Sequence, residues 1–280
     1  MIRLGKHVSI AGGLDKATVR ADKIGCNALQ IFIKNPRGWK MRNIDEKEIN
    51  KLKNNIKRFN LNPLVVHSSY LINIASPKNE LWEKSLKVLT KEYLRANKIG
   101  AQYFVLHPGN HTGSGVKNGI KKITKALNKL LQKVETSNTI ILLENTAGAG
   151  TVIGSKFDEL YDIINNVNNN DLLGVCFDTC HAFAAGYELN SKNGLEKTIN
   201  IFEEKIGLDK LKIIHINDSK HKLGSKKDEH AHIAKGLIGK KAFINIINHK
   251  KLKDIPFILE TPQFDGRDED IDLLWSLRKK

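Results

Sequence analysis

Eight short apolar runs recur along the 280-residue chain, separated by longer and more polar stretches. Each run has the length of a buried strand in a parallel sheet. We predict eight strands, at Lys6–Ile10, Ala28–Ile33, Pro63–Ser68, Tyr103–His107, Thr139–Glu144, Leu172–Asp178, Lys212–Asn217 and Pro256–Glu260.

The stretches between the runs carry the periodicity of amphipathic helices. In the segment Leu81–Lys98 the spacing predicts one apolar side, formed by Leu81, Trp82, Ser85, Leu86, Leu89, Tyr93 and Leu94. Further helices are predicted at Gly13–Ile24, Asp45–Phe59, Val116–Val134 and Glu196–Ile206.

This alternation of strand and helix predicts an α/β protein. Eight units without a break in composition and without a linker favour a single (β/α)8 TIM barrel of parallel strands. An open, doubly wound sheet is the competing architecture. We predict one catalytic domain over residues 1–280, with its site at the carboxyl ends of the strands.

The charge of the chain is unusual, whereas its hydrophobic content is not. Apolar residues make up 40% of the chain, but the net charge is +16 and the pI is near 9.6. Such a charge is typical of proteins that bind a polyanion such as nucleic acid. The alternative is compositional drift that scatters lysines over helix surfaces.

Cysteines and apolar segments bear on where the protein acts. Cys26, Cys176 and Cys180 lie in or beside apolar runs, so we expect reduced core residues and no disulfides. No stretch approaches the roughly eighteen apolar residues of a membrane span, and no signal peptide is evident. We expect a cytoplasmic protein without membrane contacts, and a monomer because no dimerising stripe stands out.

Residues that bind metals or catalyse reactions stand where the predicted strands end. They are His67, His107, Glu144, Asp178, His181, His215, Asp228, His230 and Glu260. Because the strands of a barrel end at one rim, these side chains are predicted to converge. Each alone is more often a hydrogen-bonded loop or core residue. Together, the imidazoles and carboxylates would form a costly cluster without bound cations.

The types of these residues favour zinc or manganese, since calcium and magnesium take nearly all their ligands from oxygen. Nine ligands are too many for one tetrahedral site and suit two or three ions. Asp228 and His230 can hold one ion together, because side chains two residues apart in an extended segment point the same way. The alternative for this loop is a charged surface segment. His7 is expected beside the ligands or on the barrel floor, His232 beside the ligands or uninvolved, and His221 on the surface or in a loop.

Seven motifs resemble the signatures of the endonuclease IV family of apurinic/apyrimidinic endonucleases. They are HVSIAGG (7–13), HSSYLIN (67–73), LHPGNH (106–111), LLENTAG (142–148), GVCFDTCHAFAAGY (174–187), HINDSK (215–220) and ILET (258–261). The resemblance implies a zinc-dependent DNA repair enzyme that hydrolyses the phosphodiester bond 5′ to an abasic site. It would leave 3′-hydroxyl and 5′-deoxyribose phosphate ends, and cleaning of 3′ ends is a further activity that the resemblance allows.

The resemblance also distributes the candidate ligands over three zinc ions, with manganese as an alternative at one site. The first ion would be held by His67, His107 and Glu144, the second by Glu144, Asp178, His215 and Glu260, and the third by His181, Asp228 and His230. A hydroxide bridging the first two ions would be the nucleophile. Glu144, which bridges the same ions, is the expected catalytic residue.

Contacts with the DNA partner follow from the resemblance as well. Arg37 and the pair Tyr70-Leu71 resemble side chains that the family inserts into the duplex at the lesion. The expected partner is double-stranded DNA containing abasic sites, where the missing base makes nucleotide flipping easier. The enzyme would be nucleoid-associated when bound to it. Taken from the residues alone, Tyr70 and Leu71 are better explained as packing under a loop.

Two other functional classes fit part of this pattern. A sugar isomerase or epimerase also places His, Asp and Glu around divalent metals on a barrel, and a fold does not determine a function. Such an isomerase needs neither a third metal site at Asp228 and His230 nor a net charge of +16. A non-catalytic DNA-binding module would explain the charge but not the convergent ligands. Three zinc ions per chain favour the nuclease, whereas one or two manganese or magnesium ions favour the isomerase.

Overall fold

Eight parallel strands close into a barrel in the computed structural model, which describes residues 2–134, 137–262 and 268–279. The barrel strands are β1 (Leu4–His7), β2 (Ala28–Phe32), β3 (Leu64–His67), β4 (Tyr103–Leu106), β5 (Ile140–Glu144), β6 (Leu173–Asp178), β7 (Leu211–His215) and β10 (Phe257–Leu259). Each pairs with its neighbour in sequence order, and β10 closes the ring against β1. The predicted TIM barrel is confirmed.

Two short strands lie outside the barrel. They are β8 (Asp218–Ser219) and β9 (His230–Ala231), which pair antiparallel and form the base of the loop that carries Asp228. The apolar pattern did not predict them, because two-residue strands are too short to show a period.

Nine α-helices surround the barrel in the described part of the chain. They are α1 (Leu14–Lys23), α2 (Glu46–Arg58), α3 (Asn79–Ile99), α4 (Val116–Leu131), α5 (Phe157–Asn165), α6 (Thr179–Ala185), α7 (Lys192–Lys205), α8 (Lys240–Ile247) and α9 (Glu269–Leu277). The predicted helices match α1, α2, α3, α4 and α7 approximately, although α4 ends earlier than predicted. No helix among the described residues is long and apolar enough to cross a membrane.

The inside of the barrel is filled by one buried apolar residue from each of seven strands. These residues are Ala28, Val65, Val105, Leu142, Cys176, Ile213 and Ile258. Strand β1 contributes Gly5 instead, where a Cβ would lie only 2.4 Å from the carbonyl oxygen of Ala28. Because the interior is packed, a ligand can approach only from an end of the barrel.

Helix α3 buries five of the seven residues predicted on its apolar side, namely Trp82, Ser85, Leu86, Leu89 and Tyr93, but it does not bury Leu94. Leu94, expected on the apolar side, is 43% exposed, whereas the charged Glu92 is fully buried. Tyr93 is buried as predicted, and its hydroxyl donates to the Thr139 carbonyl oxygen at 2.7 Å. The expectation for Leu94 was wrong because Glu92 finds a cation and two hydrogen-bond donors inside the protein, so the helix can turn that side inward.

Candidate metal centre

The structure brings the predicted residues of the strand ends together at the carboxyl rim of the barrel. At the middle lies Glu144, the last residue of β5, which is completely buried. Its Oε2 lies 2.9 Å from His107 Nε2 and 3.2 Å from His67 Nε2. Its Oε1 lies 2.9 Å from His215 Nδ1 and 3.4 Å from His181 Nδ1. Four imidazoles from four different segments therefore surround one carboxylate.

Two groups of ligand atoms share Glu144. The first consists of His67, His107 and Glu144, and the second of Glu144, Asp178, His215 and Glu260. Within each group the candidate ligand atoms lie within 4.8 Å of one another, so each group could hold one ion. The sharing of one carboxylate between two groups is the arrangement that a bridging ligand requires.

The three residues predicted for a third ion, Asp228, His181 and His230, also lie near one another. Asp228 Oδ1 lies 3.1 Å from His181 Nε2 and 3.5 Å from His230 Nε2. A carboxylate oxygen of Asp178 also lies within 4.8 Å of ring nitrogens of His181 and His230. The Sγ atom of Cys180 lies within the same 4.8 Å of ligand atoms of Asp228 and His230. The sequence did not predict the proximity of Cys180.

The loop that carries Asp228 is fixed to the barrel by its backbone. The amide of Gly224 donates to the Phe183 carbonyl oxygen at 3.0 Å, and the amide of Lys226 donates to that of Ala184 at 2.9 Å. Both acceptors belong to α6. The lysine-rich loop is therefore held against α6, the helix that carries His181.

Neighbouring groups orient the ligands. Asp178 ends β6 and caps α6, since its Oδ1 accepts from the His181 amide at 2.7 Å, while its Oδ2 accepts from Asn217 Nδ2 at 2.6 Å. The Nδ1 atom of His67 lies 2.7 Å from the Ser68 carbonyl oxygen. His181 Nδ1 likewise lies 2.9 Å from a backbone carbonyl oxygen, that of residue 145. An imidazole that donates from one nitrogen presents the other as a ligand.

Electrostatics in the centre favours charged acids beside cationic partners. Burial opposes ionisation of Glu144, but the nearby His215 and His107 hold its pKa well below the usual range. Burial likewise opposes protonation of His181, but Asp178 and Asp228 raise its pKa well above the usual value. Buried carboxylates in such a cluster need positive charge, and a divalent cation supplies it.

The imidazole nitrogens and carboxylate oxygens of this centre fit divalent metal ions such as zinc. His230 Nε2 is buried and has no hydrogen-bond partner among the described residues, although two carboxylates stand near it. A buried imidazole nitrogen that faces carboxylates and makes no hydrogen bond is free to bind a cation. The set of five imidazoles and four carboxylates suits zinc or manganese better than calcium.

The predicted DNA-contacting residues lie beside this centre. Arg37 is exposed on the segment after β2, and Tyr70, on the segment after β3, exposes 59% of its surface. The Tyr70 ring stands edge-on to Phe32 at 5.2 Å and lies 6.1 Å from the His67 ring. Partial burial and the negative charge of the centre raise the pKa of Tyr70 to about 12. Leu71 is half-buried.

Sequence reasoning missed Gln30, a polar residue near the ligands, whereas it had considered the histidines around the centre. Gln30 contacts both His215 and Glu260, and its signal was a polar side chain inside an apolar run. His7 lies 3.6 Å from Glu260 Oε1 and so supports the centre. His232 contacts Asp270 instead of the ligands. His221 pairs with Glu229 in the lysine-rich loop.

Comparison with known proteins finds relatives that match almost the whole length of this chain. Residues 19–277 match a family described as xylose isomerase-like TIM barrels. A probable endonuclease 4 from Halothermothrix orenii is 62% identical over 278 residues, which cover 99% of this chain and 100% of that protein. A probable endonuclease 4 from Thermosipho africanus is 46% identical over 264 residues, which cover 94% and 93%.

Two solved structures share the fold of this chain but differ in how similar their sequences are to it. Endonuclease IV from Thermus thermophilus is 34% identical, with a TM-score of 0.87 and 98% of each chain covered. A D-tagatose 3-epimerase-like protein is 20% identical, with a TM-score of 0.73 and coverage of 99% of this chain and 95% of the other. The second likeness extends to the fold alone, so it lends the epimerase alternative no support at the site. The chain belongs to the endonuclease IV family of nucleases, as its motifs predicted.

Proposed function

We propose that this protein is a metal-dependent DNA repair endonuclease that hydrolyses the phosphodiester bond 5′ to abasic sites. The products would be a 3′-hydroxyl and a 5′-deoxyribose phosphate, and cleaning of blocked 3′ ends is a further activity that the family resemblance allows. The observation that carries the proposal is the position of Glu144, one buried carboxylate shared by two groups of candidate ligands. The relatives that are named probable endonuclease 4 support the reaction class.

Three zinc ions are the cofactor in this proposal, with manganese as an alternative at one site. His67, His107 and Glu144 would hold the first ion. Glu144, Asp178, His215 and Glu260 would hold the second, and His181, Asp228 and His230 the third. When bound, such ions polarise the phosphodiester and activate water as a nucleophile. Glu144 is the proposed catalytic residue because its Oε2 faces His67 and His107 while its Oε1 faces His215, so it would help to hold both of the first two ions.

The substrate in this proposal is double-stranded DNA containing an abasic site. Tyr70 and Leu71, beside His67, and Arg37, on the adjacent segment, would fill the gap left by the missing base and keep the flipped nucleotide at the metal centre. The net charge of +16 supplies affinity for the phosphate backbone. A single catalytic domain over residues 1–280, a monomeric state and action in the cytoplasm stay predictions.

The test is a cleavage assay combined with a metal count. The purified protein is incubated with a duplex carrying one abasic site, with and without a chelator, and bound zinc is measured by elemental analysis. We expect three zinc ions per chain, a single cut on the 5′ side and loss of cleavage after chelation that zinc restores. Zinc-loaded protein that leaves the abasic duplex intact would refute the proposal.

A further inference from the structure

Gln30, the middle residue of β2, makes three hydrogen bonds at the edge of the metal centre. Its side chain is completely buried. The amide nitrogen Nε2 lies 2.6 Å from Glu260 Oε1 and 3.0 Å from His7 Nδ1. The amide oxygen Oε1 lies 2.9 Å from His215 Nε2. One carboxamide thus spans two of the four residues in the second group of candidate ligands.

The partners of the carboxamide determine its orientation. A carboxylate only accepts hydrogen bonds, so the end of Gln30 that faces Glu260 must be the NH₂ group. The same NH₂ group has a second hydrogen, which it donates to His7. The oxygen of Gln30 therefore faces His215 and accepts from the N–H at Nε2 of that ring.

This orientation selects which atoms remain for an ion. With its proton on Nε2, neutral His215 has its lone pair on Nδ1, which lies 2.9 Å from Glu144 Oε1. Glu260 Oε1 is occupied by Gln30, which leaves Oε2, the oxygen 3.2 Å from His215 Nδ1. His215 Nδ1 and Glu260 Oε2 are therefore the two atoms that Gln30 leaves available to bind an ion, and they lie close together.

Two imidazoles of the other groups are oriented by the backbone instead of by a side chain. His67 and His181 each have their second ring nitrogen against a backbone carbonyl oxygen, at 2.7 Å and 2.9 Å. A backbone carbonyl cannot be removed by substitution, whereas the Gln30 amide can. An effect of Gln30 on metal binding should therefore be confined to the second group.

We propose that Gln30 is a positioning residue that fixes the tautomer of His215 and the free oxygen of Glu260 for the second metal ion. The inference rests on the proposed function, since it requires that the second group binds an ion. Removing such an outer partner of a metal ligand typically weakens metal affinity by roughly 10–100-fold. We expect that loss at one of the three sites.

The test compares Gln30→Met with Gln102→Met, which removes an amide at the opposite end of the barrel, where Gln102 Oε1 accepts from the Leu64 amide at 2.6 Å. Both proteins are loaded with zinc and titrated with a chromophoric chelator. We expect Gln30→Met to release one ion at roughly 10–100-fold lower chelator concentration. Gln102→Met and the unaltered protein should release their ions together at the higher concentration.

Three outcomes would overturn the inference without touching the proposed function. They are unchanged zinc release from Gln30→Met, equal weakening of all its sites, and a matching weakening in Gln102→Met. If Gln30→Met does not fold, Gln30→Asn, whose amide is one methylene too short to span both partners, decides the question by the same titration. If the unaltered protein binds no zinc, the proposed function is refuted instead.

Discussion

Lys34 and Glu92 form an ion pair inside the protein, with Lys34 Nζ 3.3 Å from Glu92 Oε1 and both side chains at most 2% exposed. Glu92 also accepts from the amide and the hydroxyl of Ser69, at 2.9 Å and 2.6 Å. Lys34 precedes Arg37 on one rim segment, and Ser69 precedes Tyr70 on the next. The pair therefore ties together the two segments that carry the proposed DNA contacts.

Breaking this pair should destabilise the protein strongly. Removing one partner leaves a buried charge without its opposite charge, which costs roughly 3–5 kcal/mol. We expect that loss in urea unfolding for Lys34→Met and for Glu92→Leu, and a smaller loss for the double variant than the sum of the two.

The exposed pair of Lys98 and Glu46, with side chains 57% and 67% exposed, provides the control. Water screens such a pair, so Lys98→Met should change the free energy of unfolding by less than about 1 kcal/mol. Equal effects at the buried and exposed pairs would show that burial of Lys34 and Glu92 has no energetic consequence.

Replacing Glu144 should separate binding from cleavage. We predict that Glu144→Ala binds abasic DNA nearly as well as the unaltered protein, because the proposed DNA contacts lie on other segments. Incision should fall by at least about 1,000-fold, since several kcal/mol of metal-assisted stabilisation are lost. Gel-shift titration and single-turnover cleavage measure the two effects.

Glu229→Ala is the matched control for Glu144, because it removes a glutamate from the loop beside the centre whose side chain is 55% exposed. Its incision rate should stay close to that of the unaltered protein. Undiminished cleavage by Glu144→Ala would remove Glu144 from the mechanism.

Tyr70 should contribute to the choice of substrate. Stacking of an aromatic side chain on a base is worth roughly 1–3 kcal/mol, so Tyr70→Ala should reduce the preference for abasic over intact duplex by about 5- to 150-fold. Its zinc content should not change, because Tyr70 is not among the candidate ligands. Competition binding with the two duplexes measures the preference.

Tyr161 on α5 offers a matched control, since it is a tyrosine with a similarly exposed side chain at 44%. Tyr161→Ala should retain the full preference. If Tyr70→Ala retained it too, Tyr70 would not insert into the lesion.

The three cysteines should be inert in the folded protein. Burial raises the pKa of Cys26, Cys176 and Cys180 to about 12, so at pH 8 almost none of their thiols is ionised. We expect no labelling by iodoacetamide in native protein and three labels per chain in urea, counted by mass spectrometry. A cysteine that reacts within minutes in the native state would contradict its buried position.

The candidate ligands could be predicted because their position depends on local pattern and one general rule. His67, Glu144 and Asp178 each end an apolar run, and parallel strands of a barrel end at one rim. The buried Glu92 could not be predicted, because helical periodicity favours Leu94 and contains no information about Lys34 on another segment. The same limit applies to Gln30, whose polar side chain in a buried strand marked an exception without naming its partners.

The sequence by itself determined the order of strands and helices and the types of residue at the strand ends, because both depend on residues that are neighbours in the chain. Only the tertiary structure decided which atoms meet. Gln30 bonds to His215 across 185 positions and to Glu260 across 230. Contacts over such separations depend on how the whole barrel closes, and barrel closure is a property of all eight strands together.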